Sequence, residues 1–171
     1  MSPEGYASWC LGLIRRDIAE DKIPVYIDFS GRTELGEVQD HVVRALRGID
    51  SPDNEQLKEE LGDVAFLLYA KCALKQSRLD ESWDTAGKII KRPGVVRVVN
   101  TLALLNEVGD CIEKVTDAFK RSEVPDSRVP HMERLCVCLG WSLADVVFMN
   151  RVKMAKRVVE GTLINKEKRA K

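Results

Sequence analysis

The sequence predicts an all-α protein. Apolar residues recur at helical spacing along most of the chain, no two alternating segments suggest a strand pairing, and a pentad of acid, aliphatic, glycine, acid and apolar residue recurs inside helical patterns. The pentad reads ELGEV at 34–38, ELGDV at 60–64 and EVGDC at 107–111. A glycine inside a helix costs about 1 kcal/mol relative to alanine, and carboxylates beside an apolar stripe lose part of their hydration. Three copies of so unfavourable a pattern call for a compensating role. With 171 residues, a single all-α domain over 1–171 with a sizeable core is expected.

Taken in order, residues 4–20 carry Tyr6, Trp9, Cys10, Leu13, Ile14 and Ile18 at helical spacing and predict a first amphipathic helix. The stretch DKIPVYIDFSGRT at 21–33 breaks the period at Pro24 and Gly31 and reads as an extended connector, with Ser30 or Thr33 capping the helix that follows. That helix, from about Thr33 to Arg47, has Leu35, Val38, Val42, Ala45 and Leu46 on one stripe and Glu34 and Glu37 along its edge. A turn-rich loop at 48–56 leads to a helix from about Glu55 to Lys75, apolar on every face between Val64 and Ala70, as a central buried helix is. A shorter helix through Trp83, Ala86, Ile89 and Ile90 should stop at Pro93. A helix from about Val98 to Lys120 carries the third pentad, and 121–130 reads as a loop. Two last helices, about His131–Leu139 and Ser142–Val159, are separated by Gly140, and the tail NKEKRAK should fray.

Composition narrows the function. Lys and Arg number 27 and so do Asp and Glu, so no global basic field draws nucleic acid or an anionic membrane, and neither is expected as a partner. The longest apolar run, Val64 to Ala70, is too short for a bilayer, and the expected location is the cytoplasm. The five cysteines, Cys10, Cys72, Cys111, Cys136 and Cys138, form no C-x-x-C pair and read as reduced core thiols. Only His41 and His131 are available to a zinc site or a histidine-based triad. The glycine spacing of Gly31 to Gly36 suggests a phosphate loop, but Glu37 and Val38 stand where lysine and a hydroxyl residue are required.

The acids are more informative. A spacing of three puts Glu34 with Glu37, and Glu60 with Asp63, on one face of each of two consecutive helices, which a short loop makes antiparallel neighbours. Four carboxylates converging beside an apolar helix repel one another unless a cation or protons intervene. Oxygen-only ligands select a hard ion, so Mg2+ is expected, with Mn2+ as a substitute. The Glu-x-x-His motif of a di-iron bundle is lacking. Gly36 and Gly62, between the paired acids, would allow close helix approach or access by metal and substrate. Trp9, Trp83 and Trp141 are expected as core anchors.

TELGEVQDHVVRAL, EELGDVAFLLYAK and SRLDESWDTAGKIIKRPGVV, taken together over about 33–96, resemble the E-x-x-E, E-x-x-D and basic segments of the MazG-type, all-α nucleoside triphosphate pyrophosphohydrolases. The resemblance implies a MazG-like bundle that hydrolyses a (deoxy)nucleoside triphosphate to the monophosphate and pyrophosphate in nucleotide-pool sanitation. It assigns Glu34, Glu37, Glu60 and Asp63 to catalysis and Mg2+, and Lys88, Lys91 and Arg92 to phosphate. Residues 98–158 resemble a degenerate second repeat. There Glu133 and Cys136 occupy the E-x-x-D positions, and Asn150 and Lys153 match the N-x-x-K of the family's closing helix as further substrate contacts. Glu107 and Asp110 are then either remnants of a pseudo-twofold bundle or accessory acids of the first site. A homodimer is the expected assembly. Within the enzyme class a dUTP, dCTP or phosphoribosyl-ATP pyrophosphohydrolase is an alternative. Outside it stands a non-catalytic helical nucleotide-binding or interaction module.

Overall fold

The computed structural model describes residues 1–48, 54–79, 98–124 and 128–161. Among these the secondary structure is helical, with no strand. Six α-helices follow in order: α1 (Pro3–Asp17), α2 (Ile23–Arg47), α3 (Asn54–Leu74), α4 (Leu102–Ala118), α5 (Arg128–Cys138) and α6 (Leu143–Glu160), with a 3-10 turn at Glu20–Lys22 before α2. The expected helix through Trp83, Ala86, Ile89, Ile90 and Pro93, and the tail NKEKRAK, lie outside the described residues.

Local chemistry explains most boundaries. Ser2 caps α1 by accepting from the Gly5 amide, and Ser142 caps α6 by accepting from the Asp145 amide, each satisfying a donor that the helix leaves orphaned. Gly48 ends α2 at φ 66°, a conformation that a side chain disfavours. Between α5 and α6 the chain turns by 92°, with Gly140 at φ 102°.

One expectation fails. Residues 21–33 are not an extended connector: α2 begins at Ile23 and runs unbroken through Pro24 and Gly31 to Arg47. Pro24 sits in the first turn, where no intrahelical amide donor is needed. Gly31 lies on the buried stripe Ile23, Ile27, Gly31, Leu35, Val38 and Val42. A Cβ there would come within 2.4 Å of the Phe119 ring, so the missing side chain makes room for an aromatic from α4's end. Thr33 caps nothing; its hydroxyl donates to the Phe29 carbonyl at 3.0 Å. Similarly, α5 starts at Arg128, inside the stretch expected as a loop, with Pro130 accommodated in its first turn.

The all-round apolar stretch of α3 lies at the centre. Leu61, Val64, Ala65, Leu68 and Ala70 are fully buried, and α3 packs mainly on α1, α2 and α6, while α4 pairs chiefly with α5. The ion pairs Asp28–Lys71 and His41–Glu60 fit one antiparallel register between α2 and α3. The pairs Asp117–Arg128 and Glu107–Arg134 make α4 and α5 antiparallel too.

A buried lysine ties these layers together. Lys71 is 2% exposed, and its ammonium donates to Asp28 Oδ1 at 2.7 Å, to the Ala118 carbonyl at 2.7 Å and to the Arg121 carbonyl at 2.6 Å. Arg32 donates to the Phe119 carbonyl at 2.7 Å. Cations from α2 and α3 therefore take up the carbonyls at the negative end of α4. The five cysteines are all free and buried, as expected. No single helix among the described residues is long and apolar enough to cross a membrane.

Candidate functional site

The first two pentads face a common locus. Along α2, Leu35 and Val38 enter the core, which leaves Glu34 half-buried at the edge and Glu37 exposed. Along α3, Leu61 and Val64 are buried, and Glu60 and Asp63 stand at the margin with 14% and 18% of their side-chain surface exposed. A cleft of about 600 Å3 opens beside them, lined by Gly36, Glu37, Asp40, His41, Arg44 and Glu60 among others.

Glu60 is the electrostatic centre of this cleft. Burial, followed by the charges of Glu37, Glu34, Asp63 and Asp40, pushes its pKa from 4.5 up to about 7. His41 Nε2 lies 2.6 Å from its Oε2. That approach is ionic in distance but lacks hydrogen-bond geometry, because Oε2 is buried without a hydrogen-bond partner among the described residues. Asp63 has a different companion: Lys153, from α6, donates to its Oδ1 at 2.7 Å.

The α2–α3 register decides how closely the quartet converges. With His41 level with Glu60 and Asp28 level with Lys71, Glu37 comes level with Asp63, and Glu34 lies a turn further along, level with Phe66. Among the described residues no group of three or more His, Cys, Asp or Glu side chains stands together as a ready metal-ligand set. Glu60 feels the charges of the other three, but the four acids are not gathered around one point.

The glycines divide between two roles. Gly36 has nothing within 4 Å of where its Cβ would be and faces the cleft. A Cβ on Gly62 would lie 3.1 Å from Asn150 Cβ and 3.4 Å from the Val146 carbonyl oxygen. The close approach that Gly62 permits is thus to α6, not to α2.

Asn150 and Lys153 are both brought to α3 by this contact. Asn150 is 2% exposed; its Oδ1 accepts from the Tyr6 hydroxyl at 2.6 Å, while Nδ2 has no hydrogen-bond partner among the described residues. Lys88, Lys91 and Arg92 lie outside the described residues. The third pentad is elsewhere: Glu107 pairs with Arg134 at 3.0 Å, Asp110 is exposed, and neither is among the charges that chiefly raise Glu60. Cys136, at the position of the missing acid, is fully buried, and that burial pushes its thiol well above the ordinary range. Trp9 is a core anchor, its ring stacked on Tyr6 and edge-on to Phe66. Trp141 is half-buried, with the Lys58 ammonium 4.5 Å from its ring centroid.

Sequence reasoning missed Asp40 and Arg44 on the cleft wall. Both continue the edge of α2 that begins with Glu34 and Glu37, and extending the spacing by one and two turns would have found them. Comparison with family models, with curated proteins and with solved structures finds no match to this chain.

Proposed function

We propose that the protein hydrolyses a (deoxy)nucleoside triphosphate to the monophosphate and pyrophosphate with the help of Mg2+. The observation that carries this reading is Glu60: a carboxylate at a cleft mouth whose proton affinity is raised by burial and by four neighbouring carboxylates. Such crowding is relieved by a cation or by protons. The donor set fits a hard divalent ion chemically, since Glu34, Glu37, Glu60 and Asp63 offer only oxygen and Glu60 Oε2 is buried without a hydrogen-bond partner among the described residues. Those four residues would hold it once their side chains turn toward one another, since they stand apart in this structure. When bound, such an ion neutralises phosphate charge and lowers the pKa of water.

The rest of the chemistry is the chain's own. The cleft of about 600 Å3 is of the size that small-molecule sites have. Arg44 and, from α6, Lys153 supply cations for phosphate oxygens. One of the two glutamates lining the cleft, Glu37 or Glu60, takes the proton of the water that attacks the α-phosphorus, and pyrophosphate departs from the opposite side. Nucleotide-pool sanitation, a homodimeric assembly and a cytoplasmic setting belong to the same reading.

A second reading, a non-catalytic helical module that binds nucleotide or a partner, is favoured by one feature. His41 Nε2 stands 2.6 Å from Glu60 and the Lys153 ammonium 2.7 Å from Asp63, so each acid has a neighbour within the fold and a structural account without turnover. A panel of NTPs and dNTPs incubated with Mg2+ or with EDTA separates the two. The hydrolase reading expects Mg2+-dependent monophosphate and pyrophosphate, lost in Glu60→Gln. Orthophosphate as the product would overturn the site of cleavage, and no turnover on any nucleotide would favour the module.

A further inference from the structure

Lys153 makes an unusual contact for a residue expected to hold substrate. Its ammonium is engaged by Asp63 at 2.7 Å, and the two side chains are only 15% and 18% exposed. The contact is built by tertiary packing: Gly62, having no side chain, lets α6 approach α3, with Asn150 Cβ 3.1 Å from where a Cβ would stand. Asn150, one turn before Lys153, is itself anchored through Tyr6 at 2.6 Å. Its Nδ2, without a hydrogen-bond partner among the described residues, lies 3.5 Å from the Gly62 Cβ position.

We propose that Lys153 is an internal competitor for the divalent cation, an autoinhibitory contact that a cation must displace to reach Asp63. The inference rests on the metal-dependent reading of the acid quartet. An ammonium in hydrogen-bonding contact with Oδ1 occupies the space and the charge that a cation would use there, and two cations on one carboxylate repel. Losing Asp63 leaves Lys153 half-buried and unneutralised, which is costly unless an anion receives it. A polyphosphate is such an anion. Cation and polyphosphate then favour each other's binding through Lys153, since a coupling of this kind acts equally in both directions.

The test is a titration of the full chain with Mn2+ alone, free ion being read by electron paramagnetic resonance, with no nucleotide present. Lys153→Met should bind Mn2+ at least about fivefold more tightly than the wild type. Lys156→Met is the control for general charge: Lys156 is 75% exposed and only 4.0 Å from Glu160, and its loss should change the affinity less than about twofold. Lys153→Gln replaces Lys153→Met if the latter does not fold, as judged by circular dichroism. Equal or weaker Mn2+ binding by the Lys153 variant, with binding lost in Glu60→Gln, would overturn the competition while leaving the metal reading intact. A folded wild type and a folded Lys153 variant that both ignore millimolar Mn2+ would overturn both.

Discussion

Replacing Glu60 with glutamine should stabilise the protein at pH 8 and do so much less near pH 5. The native carboxyl keeps its proton up to about pH 7, whereas in an unfolded chain it releases the proton near 4.5. Between those values the native state holds more protons than the unfolded state, so wild-type stability falls as the pH rises and levels off above 7. The pKa difference of about 2.5 corresponds, at about 1.4 kcal/mol for each tenfold change, to a ceiling of about 3.5 kcal/mol. Glu60 borders an open cleft, and solvent screening reduces the expected effect to about 1–2 kcal/mol. Glutamine keeps the shape and removes the charge. Urea unfolding in EDTA, followed by circular dichroism at intervals from about pH 5 to pH 8, measures the difference directly. Glu60→Gln should gain on the wild type by that amount across the interval, and added Mg2+ should narrow the gap by stabilising the wild type alone. A stability difference that stays flat with pH would refute the electrostatic account of the cleft.

Two further predictions concern the scaffold. Lys71→Met removes the cation that neutralises Asp28 and satisfies the Ala118 and Arg121 carbonyls; it should cost about 3–5 kcal/mol in urea unfolding, because it leaves a charge and two carbonyls without their partner. Gly31→Ala and Gly36→Ala should have opposite signs: a methyl at Gly31 meets the Phe119 ring and at Gly36 meets nothing. Overpacking at the first costs about 1–3 kcal/mol, more than the helix propensity of alanine returns, and Phe119→Leu should relieve it. The second should gain up to about 1 kcal/mol, measured in the same assay.

The fold class was legible because helical periodicity is a local property. Each of α1, α4 and α6 shows its buried stripe, and α3 its all-round apolar stretch, within its own sequence, while the Ser142 hydroxyl and the Gly48 backbone mark helix ends locally. The first half of α2 was hidden for the opposite reason. Gly31 looks like a break until Phe119, far along the chain, is seen to fill the space above it. Lys71 could not be read as structural either, since a lysine is buried only when partners from other elements satisfy it, and those partners come from α2 and the end of α4.

The candidate site divides along the same line. By itself the sequence determined which acids share a helix face, because three-residue spacing sets that face irrespective of context. It also determined that the helices bearing them are amphipathic or buried. Only the tertiary structure decided that Glu37 comes level with Asp63 while Glu34 lies a turn away, that His41 and Lys153 stand against Glu60 and Asp63, and that Glu107 belongs to Arg134. Register between helices depends on how side chains from distant segments interlock, and that information is distributed over the whole core rather than written in any one segment.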